Sequence, residues 1–114
     1  MGKLTTHVLD TAQGRPAANL EVRLFRLETD WVLLKTIRTN ADGRADAPLL
    51  EADALTVGMY KLEFEVGAYF SGLELPEPNF LGVVPVQFGI SDANSHYHVP
   101  LLVSPYGYST YRGS

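Results

Sequence analysis

The chain has 114 residues, 46% of them apolar and 19% charged, with a net charge of −4 near neutral pH and no cysteine. That length and balance describe one globular domain, residues 1–114, with room for a single core. The acidic balance leaves no basic face for nucleic acid or an anionic membrane, and the missing cysteine excludes disulfides, thiolate zinc sites and thiol nucleophiles.

The opening residues, Met1 to His7, contain no apolar stretch of signal-peptide length, and no apolar run along the chain approaches the roughly 18 residues that would span a bilayer. The expected compartment is the cytoplasm. Leu4 to Leu9 is the first predicted strand, and Gly14-Arg15-Pro16 closes its connection to the second, Leu20 to Leu27. There Val22 and Leu24 oppose Glu21 and Arg23, whereas Phe25 and Leu27 fall on the nominally wet side and predict that this side is partly covered. A polar turn at Glu28-Thr29-Asp30 leads into Trp31 to Arg38. Asn40-Ala41-Asp42-Gly43 is a turn with Gly43 free to take a positive φ, and Arg44 leaves it immediately.

Met59 to Val66 is the clearest strand, with Tyr60, Leu62, Phe64 and Val66 on one side and Lys61, Glu63 and Glu65 on the other. The alternation ends at Val66, and Val66 to Leu73 predicts one short helix. Leu75-Pro76-Glu77-Pro78-Asn79 cannot be a central strand because its prolines remove ladder donors. Val83 to Ile90 resumes the pattern, with Pro85 marking an edge or bulge, and Ser91 to Ser95 is a loop. His96 to Val103 and Tyr106 to Arg112 are the last two strands, joined at Ser104-Pro105. Seven or eight strands and at most one short helix predict an all-β sandwich or barrel.

Parity singles out one face. Thr5, His7 and Leu9 share a side of the first strand, opposite Thr6 and Val8. His96, His98, Pro100 and Leu102 share a side of the last strand but one, opposite Tyr97, Val99, Leu101 and Val103, which make the better core face. In the last strand Ser109, Tyr111 and Gly113 share a side. An outward face mixing His, Thr, Ser, Tyr and Leu is too apolar for open water and too polar for a core, as at subunit interfaces and ligand channels.

Three chemistries are open to these residues. His96-x-His98 with His7 as third ligand could hold a divalent metal, although no nearby carboxylate completes the set. Ser109 or Ser114 with His7 or His98 could act as nucleophile and base, although no Gly-x-Ser-x-Gly elbow occurs. The third is acid–base work by imidazole, with the Arg44 guanidinium holding an anion. That last set suits attack of water on the carbonyl of a small, planar, oxygen-rich heterocycle. The closing Tyr111-Arg112-Gly113-Ser114 adds a dense set of donors and acceptors.

Leu4-Thr5-Thr6-His7-Val8-Leu9-Asp10-Thr11-Ala12 with Gly14-Arg15-Pro16-Ala17, and Tyr97 to Thr110, resemble the opening and close of the transthyretin-like family. Tyr111-Arg112-Gly113-Ser114 resembles the signature of that family's hydrolase branch, whose active-site positions match His7, Arg44 and His98. The resemblance implies a sandwich of two four-stranded antiparallel sheets with one short helix. It implies a homotetramer, a dimer of dimers, with active sites in a channel between dimers. The implied reaction is hydrolysis of 5-hydroxyisourate, the product of urate oxidase, to 2-oxo-4-hydroxy-4-carboxy-5-ureidoimidazoline, with no metal or cofactor. His7, Arg44 and His98 are then the expected catalytic residues, and His7, Arg44, Tyr111, Arg112, Gly113 and Ser114 the expected substrate contacts.

Overall fold

A computed structural model describes residues 2–113. Two sheets face each other. The first has the order β2-β1-β8-β9, from β1 (Lys3–Asp10), β2 (Arg15–Pro16), β8 (Tyr97–Ser104) and β9 (Gly107–Thr110), with β5 (Leu50–Glu51) also pairing with β1. The second has the order β4-β3-β6-β7, from β3 (Glu21–Leu27), β4 (Trp31–Arg38), β6 (Gly58–Glu65) and β7 (Val83–Ile90). The helix expected over Val66 to Leu73 is α1 (Val66–Tyr69), extended by a 3₁₀ turn at Phe70–Gly72. The two-residue strands β2 and β5 are too short to carry an alternation; the sequence pattern places Arg15-Pro16 in a connection and assigns nothing to Leu50-Glu51.

Period-two alternation explains why these sheets stack. Leu4, Val8, Leu101 and Val103 point inward from the first sheet and meet Val22, Leu24, Tyr60, Leu62 and Phe64 from the second. Removing that much apolar surface from water is the main force holding the layers together. Phe25, which breaks the alternation of β3, is covered as expected: the Lys61 ammonium lies 4.8 Å from its ring centre and 4.7 Å from that of Trp31. Leu27 stays exposed. Helix α1 is tied down by Tyr69, whose hydroxyl donates to buried Asp10 at 2.8 Å.

One pairing departs from the antiparallel sheets that the sequence implied. β1 and β8 run parallel, with Leu4 opposite Tyr97, Thr5 opposite His98 and His7 opposite Pro100. A tight hairpin can only pair strands antiparallel. Between β1 and β8 the chain builds the whole second sheet, and that long crossover lets β8 return in the same direction. The parallel pair brings the two histidine-bearing strands side by side.

Two details of the backbone aim residues at that pair. Gly43 sits at φ +76°, and a Cβ there would stand 2.4 Å from the Val8 carbonyl oxygen, so only glycine fits. The Val8 amide donates to the Gly43 carbonyl at 2.8 Å, which draws the turn onto β1 and leaves Arg44 bridged to His7. The second detail is Pro100, which has no N–H. The ladder between β8 and β9 stops at Leu101–Thr110 and resumes, in the same register, as a bridge between His98 and Gly113. The last expected strand, Tyr106 to Arg112, is therefore shortened to β9 by an interruption, and the chain beyond it returns to the histidines.

Candidate active site

His7 projects from β1, His98 from β8, and Arg44 from the turn after β4. All three lie on the outward face of the first sheet. The imidazole centres are 6.5 Å apart with their planes tilted by 40°. Lys3, Thr5, Arg44, His96 and His98 line an open groove of about 440 Å³. Two larger hollows, of about 550 and 670 Å³, lie beside α1 around Tyr69 and have no histidine in their walls. The smaller groove is the one walled by histidine together with the Arg44 guanidinium, which makes it the candidate site.

Hydrogen bonds and close packing set the positions of Arg44 and His98. Asn40 accepts from the amides of Asp42 and Arg44 through Oδ1, at 2.9 and 3.2 Å, and so shapes the turn that presents Arg44. The Gly113 amide donates to the His98 carbonyl at 2.7 Å. Gly113 lies so close that a Cβ there would stand 2.6 Å from His98 Cδ2. The Thr5 hydroxyl lies 2.8 Å from His98 Nδ1.

The same neighbours set the charge state. His98 is held below its ordinary value of 6.5, first by burial, then by the Arg44 guanidinium and His7. His7 is also lowered, by burial and then Arg44, against an opposing hydrogen bond to the Asp42 backbone and the Asp42 charge. Both imidazoles are therefore predominantly neutral near pH 7 and available as proton acceptors. The native state binds fewer protons than the unfolded chain in the window from 6.5 down to the depressed native values. Stability is expected to fall as pH drops through 6.5 into that window. Thermal melts between pH 7.5 and 5, at half-unit steps, check this, and a His7→Gln/His98→Gln protein is expected to show a shallower fall.

The remaining expected residues are placed unequally. Tyr111 is exposed and lines a separate hollow with Phe88, Tyr97 and Arg112, not the histidine groove. The Arg112 side chain turns away from the imidazoles: its guanidinium stacks 4.1 Å from the Tyr97 ring centre and donates to the His96 carbonyl at 3.0 Å. That follows from parity, because Arg112 and Gly113 are neighbours on a strand-like segment and face opposite sides. Ser114 lies outside the described residues. His96 is exposed at the rim of the groove, and no cluster of three or more His, Asp or Glu fit to hold a metal occurs among the described residues. Thr5 is the residue that sequence reasoning left out of the site. Its only signal was its shared side with His7, since its contact with His98 depends on the β1–β8 register.

A family model described as HIUase/Transthyretin family matches residues 4–113. The chain is 60% identical over 116 residues to 5-hydroxyisourate hydrolase 2 of Rhizobium meliloti, an alignment covering 99% of this chain and 97% of that protein. Among solved structures it is similar to Klebsiella pneumoniae 5-hydroxyisourate hydrolase, with a TM-score of 0.83, 38% identity and full coverage of both chains. It is also similar to (S)-allantoin synthase, with a TM-score of 0.94 and 44% identity, covering 99% of this chain but 44% of that one.

Proposed function

Because the chain belongs to the HIUase/Transthyretin family, we propose that it hydrolyses 5-hydroxyisourate at a cyclic amide C–N bond to give 2-oxo-4-hydroxy-4-carboxy-5-ureidoimidazoline. The observation that carries this reading is the convergence of His7, Arg44 and His98 from three separate segments, with both imidazoles held neutral near pH 7.

In the proposed reaction one imidazole of the pair takes a proton from water as its oxygen bonds to the ring carbonyl carbon. The Arg44 guanidinium offsets the negative charge that develops on the carbonyl oxygen. Collapse of the tetrahedral intermediate breaks the C–N bond, the leaving nitrogen accepts a proton from the imidazolium, and the product is a carboxylic acid that ionises near neutral pH. Tyr111, Arg112, Gly113 and Ser114 complete the substrate pocket in this reading. No metal or cofactor takes part.

The outward face of β1, β8 and β9 is half apolar, with Leu9 and Leu102 beside the histidines. We assign it to the contact between dimers of a homotetramer, where water is excluded from a shared channel. No helix among the described residues is long and apolar enough to cross a membrane, and we place the enzyme in the cytoplasm.

Hydrolysis in ¹⁸O-labelled water tests the reaction type. One heavy oxygen is expected in the new carboxylate by mass spectrometry, formed at an unchanged rate after exhaustive chelation. Activity that disappears on chelation and returns with zinc would overturn the metal-free mechanism.

A further inference from the structure

We propose that Thr5 is a positioning residue that fixes the His98 imidazole in its working orientation, an inference that rests on the hydrolase reading of the site. The β1–β8 register sets Thr5 directly opposite His98, and the hydroxyl stands 2.8 Å from Nδ1. On its other side the His98 ring meets the Gly113 backbone, which leaves no room even for a Cβ. The ring is thus held between a hydroxyl at one edge and a main-chain wall at the other. With Nδ1 occupied, Nε2 is the nitrogen left to face the substrate.

The choice of a hydroxyl has a chemical consequence. It can accept from Nδ1–H or donate to a bare Nδ1, so it holds the ring through either tautomer and through the imidazolium. A carboxylate in that place would favour the imidazolium and oppose the lowering imposed by burial and Arg44. Thr5 therefore orients His98 without charging it, whereas Arg44 acts on His98 through its field. Orientation by a hydrogen bond to the far nitrogen is how supporting residues tune metal-bound histidines, where its loss typically costs about 10- to 100-fold in activity, and the same geometry acts here on a metal-free ring.

Thr5→Val keeps the shape of the side chain and removes the hydroxyl, and Thr5→Ser keeps the hydroxyl and removes the methyl. Thr5→Val is expected to lower kcat for 5-hydroxyisourate by about tenfold or more, with little change in KM, and Thr5→Ser to retain most of the wild-type kcat. Nitrogen-15 NMR of the imidazoles is expected to show His98 Nδ1 moved by Thr5→Val and nearly unmoved by Thr5→Ser. Wild-type kcat in Thr5→Val, or a loss that Thr5→Ser shares, would overturn the proposal, as would an Nδ1 signal indifferent to the hydroxyl. If the wild-type protein fails to hydrolyse the substrate, the functional reading falls, and the Nδ1 signal still decides whether Thr5 holds His98.

Discussion

His7→Ala and His98→Ala are each expected to lower kcat by about 10²- to 10⁴-fold, the range for removing a general acid or base. Both side chains lie on the outer face, so neither change opens a cavity in the core, and folding by circular dichroism should be unaffected. The double variant is expected to be little worse than the poorer single variant, because groups that act on one transition state are not additive. His96→Ala is the control. Its side chain is exposed, and its carbonyl, which accepts from Arg112, survives the change. If His96→Ala were as damaging as His98→Ala in an intact assembly, a metal held by the His96-x-His98 pair would return as the better explanation.

Deleting residues 112–114 is expected to cost about a hundredfold in rate, the size of effect that an ångström of misplacement can produce, while the melting temperature stays close to wild type. The deletion removes few apolar atoms, but it takes away the Gly113 amide that holds the His98 carbonyl and the Arg112 guanidinium stacked on Tyr97. Two point variants separate these parts. In Gly113→Ala the new methyl must displace the His98 ring, so activity should fall with every charge retained. In Arg112→Ala the His98 ring keeps its wall, while the charge, its stack on Tyr97 and its hydrogen bond to the His96 carbonyl are lost. Steady-state kinetics on all three, with thermal melts, check this. A truncated protein with full activity would reduce the segment to a family mark without a catalytic part.

The strands were legible because one-sided burial writes itself into the sequence as alternation. Met59 to Val66 differs by one residue at each end from the observed β6, and Trp31 to Arg38 and Val83 to Ile90 coincide with β4 and β7. Gly43 was readable for a similar local reason, since a turn that needs positive φ selects glycine. The outward position of His7 and His98 also followed from parity alone. What parity cannot supply is which strands are neighbours. The parallel β1–β8 pair joins residues more than 90 positions apart through a crossover whose path no local pattern records, and the Thr5–His98 contact exists only in that register. The break opposite Pro100 and the rejoining of Gly113 to His98 were hidden in the same way, because which residue of the last strand faces Pro100 depends on the β8–β9 register. Arg112 shows the converse. The family resemblance implied a substrate contact, whereas within one chain its neighbours are Tyr97 and His96.

The central claim is that His7, Arg44 and His98 form one hydrolytic site, and the decay of freshly generated 5-hydroxyisourate, followed by ultraviolet absorbance near pH 7, tests it most directly. Wild-type protein is expected to accelerate the decay in proportion to its concentration. Arg44→Ala, matched in assembly by light scattering, is expected to lose about 10²- to 10³-fold of that acceleration, as for other donors to a developing oxyanion. Decay no faster than in buffer, or equal acceleration by the wild-type and Arg44→Ala proteins, would contradict the account.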